Sequence, residues 1–247
     1  MILEGFTMLG TTVPEPIKSD GRVSVCSAGL DVDLGLVRIY PLARSGVANR
    51  WNTYRVPVEN SPKDSRRESF KLKADRHGSA FEQINREFVQ VGHMKPAQRA
   101  DALKKYIVGS IAEANRKLMS LAIIQPQFGE LDFSYNPESP DSPELKLFDI
   151  GEPPKDGSKR FPFIPRLHFD DEDGHHHLQV RDWGGYEWMR KYPDRYRELP
   201  KCLHLSDDSS LLIGNFNQHR NTWLIISVLN GIRNDVPTLF DLTEASA

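Results

Sequence analysis

An α+β fold rich in antiparallel strands is what this sequence predicts, and three observations carry the prediction. Short apolar and β-branched runs separated by turn residues fill the first 75 positions. The middle shows helical periodicity, with Leu103, Ile107, Ile111, Ala114 and Leu118 recurring at three- and four-residue spacing. Strand-like runs then return beyond residue 160, around one short helical stretch.

In the first part, Val23 to Leu30, Leu34 to Tyr40, Trp51 to Val58 and Ser69 to Lys73 read as strands punctuated by SDG, Gly35 and RSG. Strands this short and this closely spaced suggest a small barrel or a strongly curved sheet. Phe81, Ile84 and Phe88 fall on one helical face, and a longer helix is expected from Pro96, a residue suited to a first helical position. Leu121 to Ile124 reads as a buried strand stopped at Pro126. Residues 136–159, rich in Pro, Ser and charge, read as a linker or excursion around a short strand, Leu145 to Ile150. That stretch separates a β-rich region with central helices (1–135) from a C-terminal hairpin and helix region (160–247), packed on the first as one domain or two. In the second region, Phe161 to Phe169 and His177 to Asp182 flank the acidic turn DDEDG. A helix broken at Pro193 follows, then strands Leu211 to Asn215 and Thr222 to Leu229.

Bulk properties narrow the function classes. The 247 residues, 38% hydrophobic and 27% charged, describe a globular chain with a sizeable core. No apolar run reaches the ~20 residues of a membrane span, and MILEGFTMLGTTVPEP has no basic stretch ahead of its apolar run, unlike a secretory signal. Two cysteines, Cys26 and Cys202, are too few for a disulfide framework, so a reducing cytoplasm is expected. A formal net charge of −2 excludes a wholly basic coat but allows local patches. The absence of GxSxG, P-loop and GxGxxG motifs argues against a serine hydrolase, an NTPase or a dinucleotide enzyme.

Residues 38–73 form the strongest candidate site. Nine Lys or Arg stand there against three acids, with Tyr40, Trp51, Tyr54 and Phe70 interleaved. Cations beside flat aromatic faces suit single-stranded nucleic acid, whose phosphates need neutralising and whose bases stack. Arg38, Arg44, Arg66 and Arg67 are the expected phosphate contacts, and Tyr40 and Trp51 the stacking platforms. The plainer reading is a β-surface whose aromatics point inward; alternation puts Trp51 and Tyr54 on opposite faces.

The acid–histidine hairpin is the second candidate. On extended strands His168 and Asp170 share a face, as do His175 and His177. Imidazole with carboxylate suits a divalent metal such as zinc, iron or manganese. The expected ligands are His168, His175 and His177, with Asp170 or Asp182 as the catalytic carboxylate. A solvated turn with polar strand residues is the plainer alternative. Two weaker signals are Asp132 with Glu144-Leu145-Lys146, the skeleton of one magnesium nuclease type, and the His219–Arg220 pair in a hairpin tip.

VCSAGL, LVRIYPLAR, KDSRRESF, VRDWGGYEWMRK and LLIGNFNQHRNTWLIISVL together resemble an uncharacterised prokaryotic family of standalone proteins of similar length. The resemblance implies no established activity. It also implies cysteines beside a histidine, a small metal knuckle, ahead of Asp182-Trp183; GHHH stands there instead. Together these readings predict a cytoplasmic nucleic-acid-binding accessory module, part of a larger prokaryotic complex, and leave open whether it is an enzyme. Its expected partners are DNA or RNA and other protein subunits, with no membrane. The alternatives are a metal-dependent hydrolase or nuclease on the 168–182 hairpin, and a protein-interaction scaffold.

Overall fold

The computed structural model describes residues 1–17, 22–44, 48–75, 78–136, 161 and 163–231. Along the first part run β1 (Ile2–Thr11), the two-residue β2 (Glu15–Pro16), β3 (Val23–Asp31), β4 (Gly35–Ala43), β5 (Asn52–Asn60) and β6 (Ser69–Leu72). Strands β1, β3, β4, β6 and β5 pair in that order, and β5 pairs back to β1, closing a five-stranded barrel. All its pairings are antiparallel except β4 with β6. Phe6, Val37, Ile39, Val56, Leu72 and Phe81 fill the barrel, each fully buried. Gly29 lets the wall close, because a side chain there would collide with the Thr7 carbonyl and the Phe6 ring.

A 3-10 segment (Gly78–Glu87) brings Phe81 and Ile84 to the barrel, and β7 (Val89–His93) lies against β5. Then come α1 (Pro96–Lys104), β8 (Ile107–Val108), α2 (Ile111–Arg116) and β9 (Leu121–Ile124). The single helix expected from Pro96 to Leu118 is therefore broken. β-Branched Ile107 and Val108 pair in parallel with Ile123 and Ile124, as their stiff side chains favour. Ser110 then caps the next helix by accepting from the Glu113 amide. Leu118, expected in the apolar stripe, is 85% exposed.

The remainder comprises β10 (Gln127–Tyr135), β11 (Phe163–Asp171), β12 (Gly174–Gln179), α3 (Trp183–Lys191), a 3-10 turn (Pro193–Glu198), α4 (Leu199–Cys202), β13 (Ser210–Asn215) and β14 (Trp223–Leu229). Strands β10, β11 and β12 form one sheet; β14, β13, β9 and β8 form another. The second hairpin strand begins at Gly174 rather than His177, so the histidine triplet lies inside it. It stops before Asp182, which caps α3. Strand β10 was not expected from sequence, because a bulge between Phe128 and Leu131 interrupts its alternation. The Leu145 to Ile150 strand lies outside the described residues.

One apolar cluster mixes barrel residues Leu9, Ala28 and Leu30 with Leu121, Ile123, Leu212 and Ile226 of the four-stranded sheet. Barrel and C-terminal strands thus share a core. Among the described residues no helix is long and apolar enough to cross a membrane.

Candidate anion-binding cavity

Where the barrel meets β13 and β14, a cavity of about 250 Å³ opens between Arg38, Tyr40, Arg66, Arg181 and the Gly214–Asn217 segment. Arg38 projects from β4 and is 3% exposed. Its guanidinium donates to the Ser120 carbonyl at 2.9 Å, the Ser120 hydroxyl at 3.2 Å and the Ser69 hydroxyl at 3.5 Å. It has no carboxylate partner within ion-pair distance among the described residues. Burial pulls its pKa below the ordinary arginine value, yet a guanidinium stays charged in proteins. Gly214 makes room for it, since a Cβ there would lie 2.8 Å from Arg38 Nη2.

The other two cations are balanced. Arg66 grips Asp64 through Nε at 2.8 Å and Nη2 at 2.6 Å, and donates through Nη1 to the Asn215 carbonyl at 2.6 Å. Arg181 pairs with Glu15. Arg38 has no directly paired carboxylate, although Glu68, which accepts from the Ser120 amide at 2.7 Å, acts on it electrostatically from further away. Two further polar atoms of cavity-lining residues, Arg181 Nε and Asn215 Oδ1, are buried without a hydrogen-bond partner among the described residues. Tyr40 and Phe216 contribute rings that remain 39% and 41% exposed. Cys26 also lines the cavity, but burial pushes its thiol up, so it is a packing group rather than a nucleophile.

Burial pushes the Asp64 carboxyl up, but hydrogen bonds from the Arg66 side chain and amide outweigh it, so it sits below its ordinary value. The clamp therefore contributes full stability above the unfolded carboxylate value of about 3.9 and loses it as pH falls through the lower folded value. Denaturation midpoints of wild type and Asp64→Asn should differ at neutral pH and converge in acid. Curves that stay parallel down to strong acid would argue against the clamp.

The six residues expected to bind nucleic acid do not share one wall. Arg38, Tyr40 and Arg66 meet at the cavity. Arg67 is exposed and lines an adjoining cleft with Lys117 and Arg220, bordering the cavity at Asn215. Arg44 instead reaches Glu187 at 3.3 Å and lies over the Trp183 ring, in a separate cleft. Trp51 sits outside β5 with a φ of 67°, packs on the shared core and is covered by the Arg99 guanidinium, 4.2 Å from its ring centre. Sequence reasoning missed Arg181, Asn215 and Phe216, which join the cavity only through the pairing of distant strands.

The histidine hairpin has its own geometry. In the β11–β12 register His168 faces His177 and Asp170 faces His175. The His168 and His177 rings stack 3.9 Å apart, and both Nε2 atoms approach Asp132 Oδ2 from β10, at 3.1 and 3.2 Å. His175 bridges His168 and Asp170. His176 points to the opposite face, its Nε2 2.8 Å from Asp171 but out of line for a hydrogen bond. Asp182 is not part of this group. It is 2% exposed and accepts from Arg50, Ser227 and the Gly185 amide. Glu144-Leu145-Lys146 lies outside the described residues.

The fold and cavity together define a strand-rich α+β protein with an N-terminal barrel and a cavity lined by three arginines, one of them buried without a directly paired carboxylate. Residues 4–105, spanning most of the barrel and α1, match the model of a family described as a domain of unknown function (DUF8758). VCSAGL, LVRIYPLAR and KDSRRESF fall within the match; the two C-terminal strings lie beyond it. No curated protein matches the chain.

Proposed function

We propose that this chain is a non-catalytic module that binds single-stranded nucleic acid, holding one unpaired nucleotide at the Arg38 cavity. The observation that carries the reading is Arg38 itself, a buried cation bonded only to neutral groups. Burying a charge without a directly paired carboxylate costs roughly several kcal/mol, and a bound anion offsets that cost. The guanidinium, with no carboxylate directly paired to it, can pair with the single charge of a phosphodiester. Tyr40 and Phe216 supply exposed rings for the base. Arg67, Lys117 and Arg220 lie where the neighbouring phosphates would run.

Fluorescence anisotropy with labelled single-stranded DNA and RNA tests this. Binding should weaken steeply as salt rises. Tyr40→Ala and Phe216→Ala, both surface changes, should each lose about 1–3 kcal/mol of affinity. No binding at ~50 mM salt, or two variants that bind like wild type, would remove the proposal.

A further inference from the structure

A second site lies on the exposed face of the β10–β11–β12 sheet, and its hydrogen-bond arithmetic points to a cation. Asp170, His175, His168 and Asp132 form a chain of contacts at 3.0, 3.1 and 3.1 Å. A carboxylate only accepts, and a neutral imidazole carries one N–H. The two imidazoles therefore bring two protons to three contacts. If His175 donates to Asp170 and His168 donates to His175, the His168 Nε2 lone pair faces the Asp132 carboxylate. That contact is repulsive unless a third proton or a metal cation lies in it.

At this same gap a third group converges. His177 Nε2 lies 3.2 Å from Asp132 Oδ2, and the ligand atoms of Asp132, His168 and His177 all fall within 4.8 Å of one another. Zinc–nitrogen and zinc–oxygen bonds of about 2.0–2.1 Å set tetrahedral ligand separations of about 3.3 Å. The two nitrogen–oxygen separations, 3.1 and 3.2 Å, are close to that edge length, and the nitrogen–nitrogen separation is within 4.8 Å. Three strands fix the donors, and β-sheet register rather than a mobile loop sets their spacing.

We infer that Asp132, His168 and His177 form a binding site for one borderline divalent cation of the zinc class. Two imidazoles and one carboxylate hold it, and because all three side chains face solvent, the remaining coordination positions are open to water. His175 and Asp170 are positioning residues: they fix the His168 tautomer so that Nε2 is the ligand. His176, on the other face, takes no part.

Calorimetric titration of the full chain with zinc chloride, and visible spectroscopy with cobalt(II), test the site. One equivalent should bind, with a tetrahedral cobalt spectrum. His175→Ala should weaken binding about 10–100-fold, and His177→Ala or Asp132→Asn by more than that, while His176→Ala binds like wild type. Circular dichroism checks that each variant is folded. Failure of the wild type to bind would overturn the site. So would an Asp132→Asn variant with wild-type affinity, or a His176→Ala variant as weak as His177→Ala, since either result would mark a bare histidine chelate.

Discussion

Replacing Asp182 with alanine should cost the fold about 3 kcal/mol, because this carboxylate ties together α3, β14 and the segment before β5, which are far apart in sequence. Oδ1 accepts from the Gly185 amide and caps α3; Oδ2 accepts from Arg50 at 2.8 Å and from the buried Ser227 hydroxyl at 2.9 Å. Arg50 also donates to the Val228 carbonyl. Alanine removes the cap, worth about 1 kcal/mol, and strands Ser227, which is fully buried. Breaking a buried ion pair costs about 3–5 kcal/mol, but the Arg50 side chain is 37% exposed and recovers part of that in water. With a urea slope of about 1–3 kcal/mol per molar, the midpoint should fall by about 1–3 M. Asp182→Asn, which keeps an acceptor and drops the charge, should fall between. A midpoint that does not move would show that Asp182 contributes nothing to the fold and would return it to the list of catalytic candidates.

Asp182 also shows what the sequence could and could not reveal. An Asp followed by Trp-Gly-Gly and helix formers carries the signature of an N-cap, but the adjacent histidines drew it into a site it does not enter. The barrel was legible because turn residues such as SDG, Gly35 and RSG separate runs of apolar and β-branched residues. Strands β1 and β10 were not. The first is buried continuously from Gly5 to Gly10, so it lacks alternation there, and a bulge shifts the second. The α1–α2 break was hidden because Leu103, Ile107 and Ile111 keep helical spacing across Gly109. At the cavity, a cluster of cations in sequence was a sound signal for charge but not for location. Arg38 and Arg66 meet because β4 and the loop before β6 face β13, whereas Arg44 is drawn off by Glu187, 143 positions away in sequence. Pairings of that range leave no local trace. The histidine face was more accessible, since period-two alternation places His168, His175 and His177 together; Asp132 joined them only once β10 was seen to be a strand.

Changing Arg38 to methionine should separate binding from stability. A buried cation without a carboxylate destabilises the empty protein by several kcal/mol, roughly, and methionine fills similar volume without charge. The Ser120 carbonyl and the two hydroxyls lose a donor, costing about 1–3 kcal/mol. These opposing terms leave the variant about as stable as wild type, or more so. Nucleic-acid binding should respond very differently. A charge-assisted hydrogen bond is worth about 1.5–3 kcal/mol, so affinity should fall about 10–150-fold, and the salt dependence should lose roughly one phosphate contact. Arg38→Lys keeps the charge, but a single ammonium cannot hold Ser120 and a phosphate in the planar fork that arginine offers, so it should recover only part of the loss. A methionine variant that binds normally would mean that Arg38 is a structural strut. One that unfolds would mean that the serine contacts outweigh the burial cost. Stability retained with binding lost is the pattern of a charge held out of water for a ligand.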